Sequence, residues 1–422
     1  ANLTEGESTE NDNKINEAIN IAFAKKGPTH INAPFEEPLY QTVRKMTVDP
    51  TISAFSKVYK TISIDDIIAY TNVWNSAKKK LILIGTNEPN EIDEEIINTL
   101  ANDPSIVVMT ETTSNIHHST FLTNIDTIIT PFKEKDFKAF QPDILITFGG
   151  MIVSKRIKSF LRSHKPQYHW HIDPLRAYNT FGCMPHHFQS TPNDFFNQIL
   201  PFTKKVLSDY FDKGQAIKKL RRIKHQRYLD KIPFSDLKAF EIILPNLPKN
   251  SMLQLSNSSP IRYAQLFDID PSITVYSNRG TSGIDGCTST AVGAAVGSTK
   301  QTTLIAGDIG FLYDSNALWN NYIPKNFKII LINNGGGGIF RILPGHQENK
   351  VFNTFFETSH CLTAEHLAKM YGLEYSIASD EESLKNKLTN WYAQNEKPAI
   401  LEVFTPTLQN DKILLQYFKE LV

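Results

Sequence analysis

Short apolar runs alternating with amphipathic stretches organise most of this chain. Residues 80–84, 106–109, 143–148 and 168–172 have the length of buried strands and are too short for helices. Residues 63–74, 91–101 and 155–162 read as the helices between them, with Asp65 and Asp66 in a first turn that suits the helix dipole. Strand and helix in alternation predict a doubly wound parallel sheet. The pattern breaks at residues 202–229, which read as a charged helix with a basic stretch at 218–224, a solvated linker. Alternation then resumes, with strands expected at 252–255, 274–276, 302–306, 328–332 and 399–404 and a last helix at 411–421. At the other end, residues 1–13 are polar. Ile15, Ala18, Ile19, Ala22 and Phe23 give residues 14–25 one apolar helical face. Gly27 and Pro28 stop that helix, residues 29–33 read as a short strand, and residues 34–60 as a proline-containing linker. The predicted class is α/β, with two doubly wound, mostly parallel-sheet domains.

Residues 302–343 carry the most chemistry. A strand ends at Gly307-Asp308, and a helix capped by Asp314 is expected to follow and to end before Pro324. A second strand then runs into Asn333-Asn334 and four glycines. In a right-handed βαβ unit both strand ends open on the same side, and ligands of parallel sheets collect there. A Mg²⁺ ion takes oxygen ligands, typically one or two carboxylates with phosphate oxygens. Asp308 offers a carboxylate and Asn334 an amide oxygen, and a glycine of 335–338 can turn a carbonyl inward. A glycine run alone is only a flexible loop; here the Gly-Asp pair, the interval and the Asn-Asn-Gly that follows go together. Residues 286–297 read as a close-packing helix whose N-terminus can face an anion.

Composition narrows the partners. Lys plus Arg and Asp plus Glu both number 44, so charge gives no reason to expect nucleic acid or a membrane surface. Cys183, Cys287 and Cys361 are too few and scattered for a disulfide framework, which points to a reducing, cytoplasmic setting. No apolar run approaches the ~18 residues of a membrane span, and the polar, acidic first residues do not read as a signal peptide. His117-His118, His169 with His171, and Cys183 with His186-His187 lack the paired spacing of a zinc site. No glycine-rich dinucleotide fingerprint surrounds Gly85 or Gly149, so no FAD is expected in the first sheet.

Gly307-Asp308 followed by Asn334 resembles the metal and diphosphate motif of the thiamine diphosphate (ThDP) enzymes that act on 2-oxo acids. The third motif residue, usually glycine, is Ile309. That departure, with the stretches at residues 276–286, 333–344 and 27–40, resembles one branch, the 2-succinyl-5-enolpyruvyl-6-hydroxy-3-cyclohexene-1-carboxylate (SEPHCHC) synthases of menaquinone biosynthesis. The resemblance implies ThDP with Mg²⁺ or Mn²⁺ held by Asp308, Asn334 and the carbonyl of Gly336. It implies cofactor contacts from Ser282, Gly283, Ile284, Asp285, Gly307, Ile309 and Ile339. Ile339 would sit under the thiazolium, and Phe340 and Leu343 would form the adjoining pocket wall. The implied substrates, 2-oxoglutarate and isochorismate, each carry two carboxylates. Lys155, Arg156, Asn257, Ser258, Arg262 and Arg279 match the positions that would bind them, and arginine forks suit carboxylates.

The resemblance divides the chain into residues 1–45 (remnant of a pyrimidine-binding domain), 46–200 (central domain), 201–232 (helical linker) and 233–422 (diphosphate-binding domain). It also implies a dimer or tetramer. The carboxylate that pairs with the aminopyrimidine belongs to the pyrimidine domain, so this chain alone is expected to be inactive and to hold ThDP weakly. Two other readings stay open: another ThDP enzyme of the acetolactate synthase kind, or a non-catalytic cofactor-binding module.

Overall fold

The computed structural model describes residues 8–34, 42, 44–46, 48–53, 62–343, 345–393 and 396–422. The first sheet contains β1 (Lys80–Ile84), β2 (Ile106–Thr110), β3 (Ile144–Phe148), β4 (Tyr168–Ile172) and β5 (His186–Phe188), in the order β2-β1-β3-β4-β5. Its pairings are all parallel. Every residue of β1, β2 and β3 is buried, because helices cover both faces. Ile82, Ile146 and Trp170 pack on one face with Trp74 and Phe196, and Leu81, Leu83 and Leu145 on the other with Ile128 and Phe160.

The second sheet contains β6 (Met252–Leu255), β7 (Thr274–Ser277), β8 (Thr302–Gly307), β9 (Phe327–Asn333), β10 (Glu374–Ala378) and β11 (Ala399–Phe404), in the order β10-β11-β9-β8-β6-β7. It too is wholly parallel. Chain direction across the sheets reverses between β1 and β3 and between β6 and β8, so each sheet has a crevice at those strand ends. The first crevice is closed by backbone. Gly150 N–H donates to Thr86 O at 2.7 Å, and a Cβ on Gly85 would lie 2.0 Å from Gly150 O.

The structure corrects several expectations. β5 and β10 are additional strands, and residues 29–33 form none. Part of the stretch at 27–40 and part of the expected linker lie outside the described residues. Asp314 does not start a long helix. It ends the helix Asp308–Tyr313, and its carboxylate accepts from Ser289 N and Oγ at 2.7 and 2.6 Å, in the first turn of the helix Cys287–Val296. The charged helix is Tyr210–Leu229, and it is not a solvated linker. Lys218 is buried and its ammonium donates to Ser119 O and Phe121 O, both at 2.7 Å. Arg221 is buried too and donates to Leu421 O, and Tyr228 donates to Ile413 O at 2.8 Å. The helix therefore binds the first sheet's domain to the C-terminal helix of the second.

The two domains also share a seam. The side-chain amide of Asn115 accepts from Val275 N at 2.8 Å and donates to Val275 O at 3.0 Å. Val275 lies in β7, the edge strand, so Asn115 pairs its outward N–H and C=O as another strand would. Tyr276 donates to Glu88 at 2.6 Å beside it.

Candidate active site

β8 and β9 are neighbours in register, so Asp308 and Asn334 emerge side by side. Asp308 is buried. Its Oδ1 accepts from Ile309 N at 2.7 Å, and its Oδ2 accepts from Gly335 N and Gly336 N at 2.9 and 3.0 Å. The glycine loop thus wraps the carboxylate. Gly336 has φ +153°, and a Cβ there would meet Glu357 O at 2.8 Å, so only glycine fits. The Gly336 carbonyl accepts from Gly338 N at 3.0 Å, which leaves it one lone pair.

Asn334 is held from the other side. Its Nδ2 donates to Asp236 Oδ2 at 2.9 Å, while its Oδ1 is buried with no partner. A buried amide oxygen without a donor is costly, and a hard cation would satisfy it. A carboxylate and an orphaned amide oxygen at adjacent strand ends fit a divalent ion holding a diphosphate. Among the described residues, no three His, Cys, Asp or Glu side chains group to hold a metal by themselves.

Three flanking groups were not legible as site residues. Asp236 opens the helix Asp236–Ile243. Burial pushes its carboxyl up to about 6, against the hydrogen bonds from Thr405 and Asn334 that pull it down. The ring of His360 accepts from Leu362 N at Nδ1, 3.0 Å, so its proton sits on Nε2, which faces Asp308 Oδ2 at 3.3 Å. Burial raises the Asp308 carboxyl, and the His360 ring and the loop N–H groups oppose this. Arg341 forms a two-pronged ion pair with buried Glu357, whose backbone carbonyl accepts from Gly337 N at 2.5 Å. The sequence singled out none of the three.

The remaining candidates fall into two groups. After β6, Asn257 Nδ2 donates to Gly283 O and Asn278 O, both at 2.6 Å, and Arg279 donates to Asn257 Oδ1 at 2.7 Å. This ties the expected substrate residues Asn257, Ser258 and Arg279 to the loop bearing Ser282, Gly283, Ile284 and Asp285. Ser258 and Ser282 have φ of 72° and 65°, a conformation rare for serine and found where surroundings over-determine the backbone. Ile339 and Phe340 are half-buried and Leu343 is exposed; Phe340 meets Phe356 edge-on at 6.0 Å.

Lys155 and Arg156 come from the other domain, at the exposed start of the helix Lys155–Ser163. Buried Glu111 holds that helix, accepting from Val153 N and Ser154 N at 2.6 and 2.7 Å. Burial pushes the Glu111 carboxyl up to about 7, against those two bonds. Burial also raises Asp126, while Ser154, Arg156 and Arg262 pull it down. Burial lowers the Arg279 guanidinium, and Arg262 lowers it further. Arg156 of the first domain and Arg262 of the second thus both act on the Asp126 carboxyl, and Arg262 and Glu111 both act on Arg279.

Residues 59–204 match the family of middle domains of thiamine pyrophosphate enzymes, and residues 258–403 match the C-terminal TPP-binding domain of thiamine pyrophosphate enzymes. The chain is 64% identical over 422 residues to a SEPHCHC synthase of Flavobacterium johnsoniae, covering 100% of this chain and 76% of that protein. It is 62% identical over 421 residues to the synthase of Flavobacterium psychrophilum, again 100% and 76%. It is 33% identical over 416 residues to that of Porphyromonas gingivalis, covering 96% of this chain and 72% of the other.

Proposed function

Because the chain belongs to the SEPHCHC synthase family, we propose that its residues bind 2-oxoglutarate and isochorismate beside thiamine diphosphate and join the succinyl unit to isochorismate with loss of CO₂. The protein is a ThDP-dependent enzyme of the menaquinone pathway. When bound, the cofactor supplies the nucleophilic carbon and the electron sink for decarboxylation. Asp308, Asn334 and the Gly336 carbonyl hold Mg²⁺ or Mn²⁺, and the cation holds the diphosphate. Gly307, Ile309 and the loop of Ser282, Gly283, Ile284 and Asp285 contact the cofactor. Ile339 supports the reacting ring, and Phe340 and Leu343 wall the pocket. The observation that supports the substrate assignment is that cations of both domains, Arg156 and Arg262, act on one carboxyl, that of Asp126. Lys155, Arg156, Arg262 and Arg279, with Asn257 and Ser258, offer more positive charge than a monocarboxylate needs, and two dicarboxylates fit it.

A homo-oligomer, dimer or tetramer, accords with exposed Leu343, Val351, Phe355 and Phe356 beside the glycine loop. Among the described residues no helix is long and apolar enough to cross a membrane, and the three cysteines are free. A cytoplasmic location accords with free thiols. The test is mass-spectrometric detection of the adduct from 2-oxoglutarate and isochorismate with ThDP and Mg²⁺, with each component omitted in turn. Product that forms equally well from pyruvate would defeat the substrate assignment.

A further inference from the structure

Asp236 and Asn334 are 98 residues apart in sequence and in hydrogen-bond contact. A primary amide has two ends of nearly equal shape and opposite chemistry. Presented with its NH₂ end, Asn334 would repel a cation; presented with Oδ1, it ligates. Nothing in the Asn334 side chain itself chooses. Asp236 does, because an ionised carboxylate only accepts, so it takes the NH₂ end. The opposite end, Oδ1, is then left buried and without a protein donor. Asp236 is itself fixed: Thr405 Oγ1 donates to its Oδ1 at 2.5 Å, and its backbone N–H donates to Asn410 Oδ1 at 2.8 Å. Its backbone lies in the first turn of the helix Asp236–Ile243, not on the metal loop.

We propose that Asp236 is a positioning residue for the cation site: it selects the ligating end of Asn334 from outside the coordination sphere. This rests on the reading of Asp308 and Asn334 as cation ligands. Groups behind metal ligands commonly matter about 10- to 100-fold in metal affinity.

The experiment follows Mn²⁺ by electron paramagnetic resonance during titration of the full-length protein with saturating ThDP. D236L is expected to weaken Mn²⁺ binding by roughly 10- to 100-fold. D236N keeps the shape of the site but can pair with either end of Asn334, and it is expected to lose roughly threefold to tenfold. In an N334A background, D236L is expected to cause no further loss, since no amide remains to orient. A merely structural role would lower affinity again in that background, and that result overturns the proposal. So does unchanged Mn²⁺ affinity in D236N, the variant that keeps the fold if D236L does not. Failure of the unsubstituted protein to bind Mn²⁺ with ThDP would instead bring down the cation-site reading, and this proposal with it.

Discussion

Glu111 caps the start of the helix Lys155–Ser163 with a carboxylate. Both its oxygens take N–H groups just before a helix, the geometry that elsewhere holds a phosphate. Its carboxyl titrates at about 7 in the folded protein, against an ordinary value of 4.5. The folded state therefore holds more protons than the unfolded one across that window, so stability should fall as pH rises from 4.5 to 7. Glu111→Gln should remove this slope. It should also cost roughly 1–3 kcal/mol, because its NH₂ would face a backbone N–H. Urea midpoints at several pH values read both effects, and an unchanged slope in E111Q would assign it to another group. Arg262→Ala should raise the Michaelis constant for 2-oxoglutarate more than that for ThDP. The loss expected is one charge-assisted contact, roughly 1.5–3 kcal/mol. Equal effects on both constants would remove Arg262 from the substrate set. At this scale the sequence was legible in placement: Asp308 and Asn334 lie at adjacent strand ends, as the βαβ reading expected. It was silent on Glu111, Asp236 and His360, because single acids and histidines acquire meaning only from what the fold sets against them.

Elements were legible in proportion to their burial. β1, β4 and β11 lie where the apolar runs placed them. β5 has three residues, two of them histidine, and β10 is an edge strand with one buried residue of five, so neither carries a buried-strand pattern. The charged helix misled for a different reason. Tyr210, Gly214, Lys218 and Arg221 form its buried stripe, and two of them are cations whose heads end on backbone carbonyls. Long cationic side chains can bury their stems in this way. The glycine loop shows the same principle: the Arg341–Glu357 pair holds the helical turn Phe352–Glu357 against it. Arg341→Met should strand buried Glu357 and cost roughly 3 kcal/mol, the low end for such a pair, since Arg341 also reaches the more exposed Glu348. It should also speed hydrogen exchange at Gly337. Exchange there as slow as in the unsubstituted protein would show that the pair does not hold the loop.

At the scale of the whole molecule, two sheets of one architecture have opposite fates at their crevices. The β6–β8 crevice opens on Asp308. The β1–β3 crevice is shut by the Gly85–Gly150 approach, with Glu111 on the nearby helix N-terminus. Gly85→Ala should cost roughly 3 kcal/mol, since a Cβ 2.0 Å from a carbonyl oxygen forces the backbone apart. A melting temperature equal to that of the unsubstituted protein would show that the crevice yields. The division into two parallel sheets was legible from the break in alternation. How the two join was not, because the seam is built from single side chains such as Asn115.

That seam bears on how such proteins can be recombined. Asn115 impersonates one residue of a seventh strand, and it does so from a different domain. A chimera that kept β7 but took its central domain from a relative with alanine at this position would inherit an unsatisfied peptide group at Val275. Grafting Asn115 alone into such a chimera would not suffice, since its amide is aimed by a left-handed backbone, φ 49°, at the end of the turn Thr112–Ser114. The transplantable unit is therefore that turn together with β7, and the boundary between inherited pieces lies elsewhere than the gap between the two sheets.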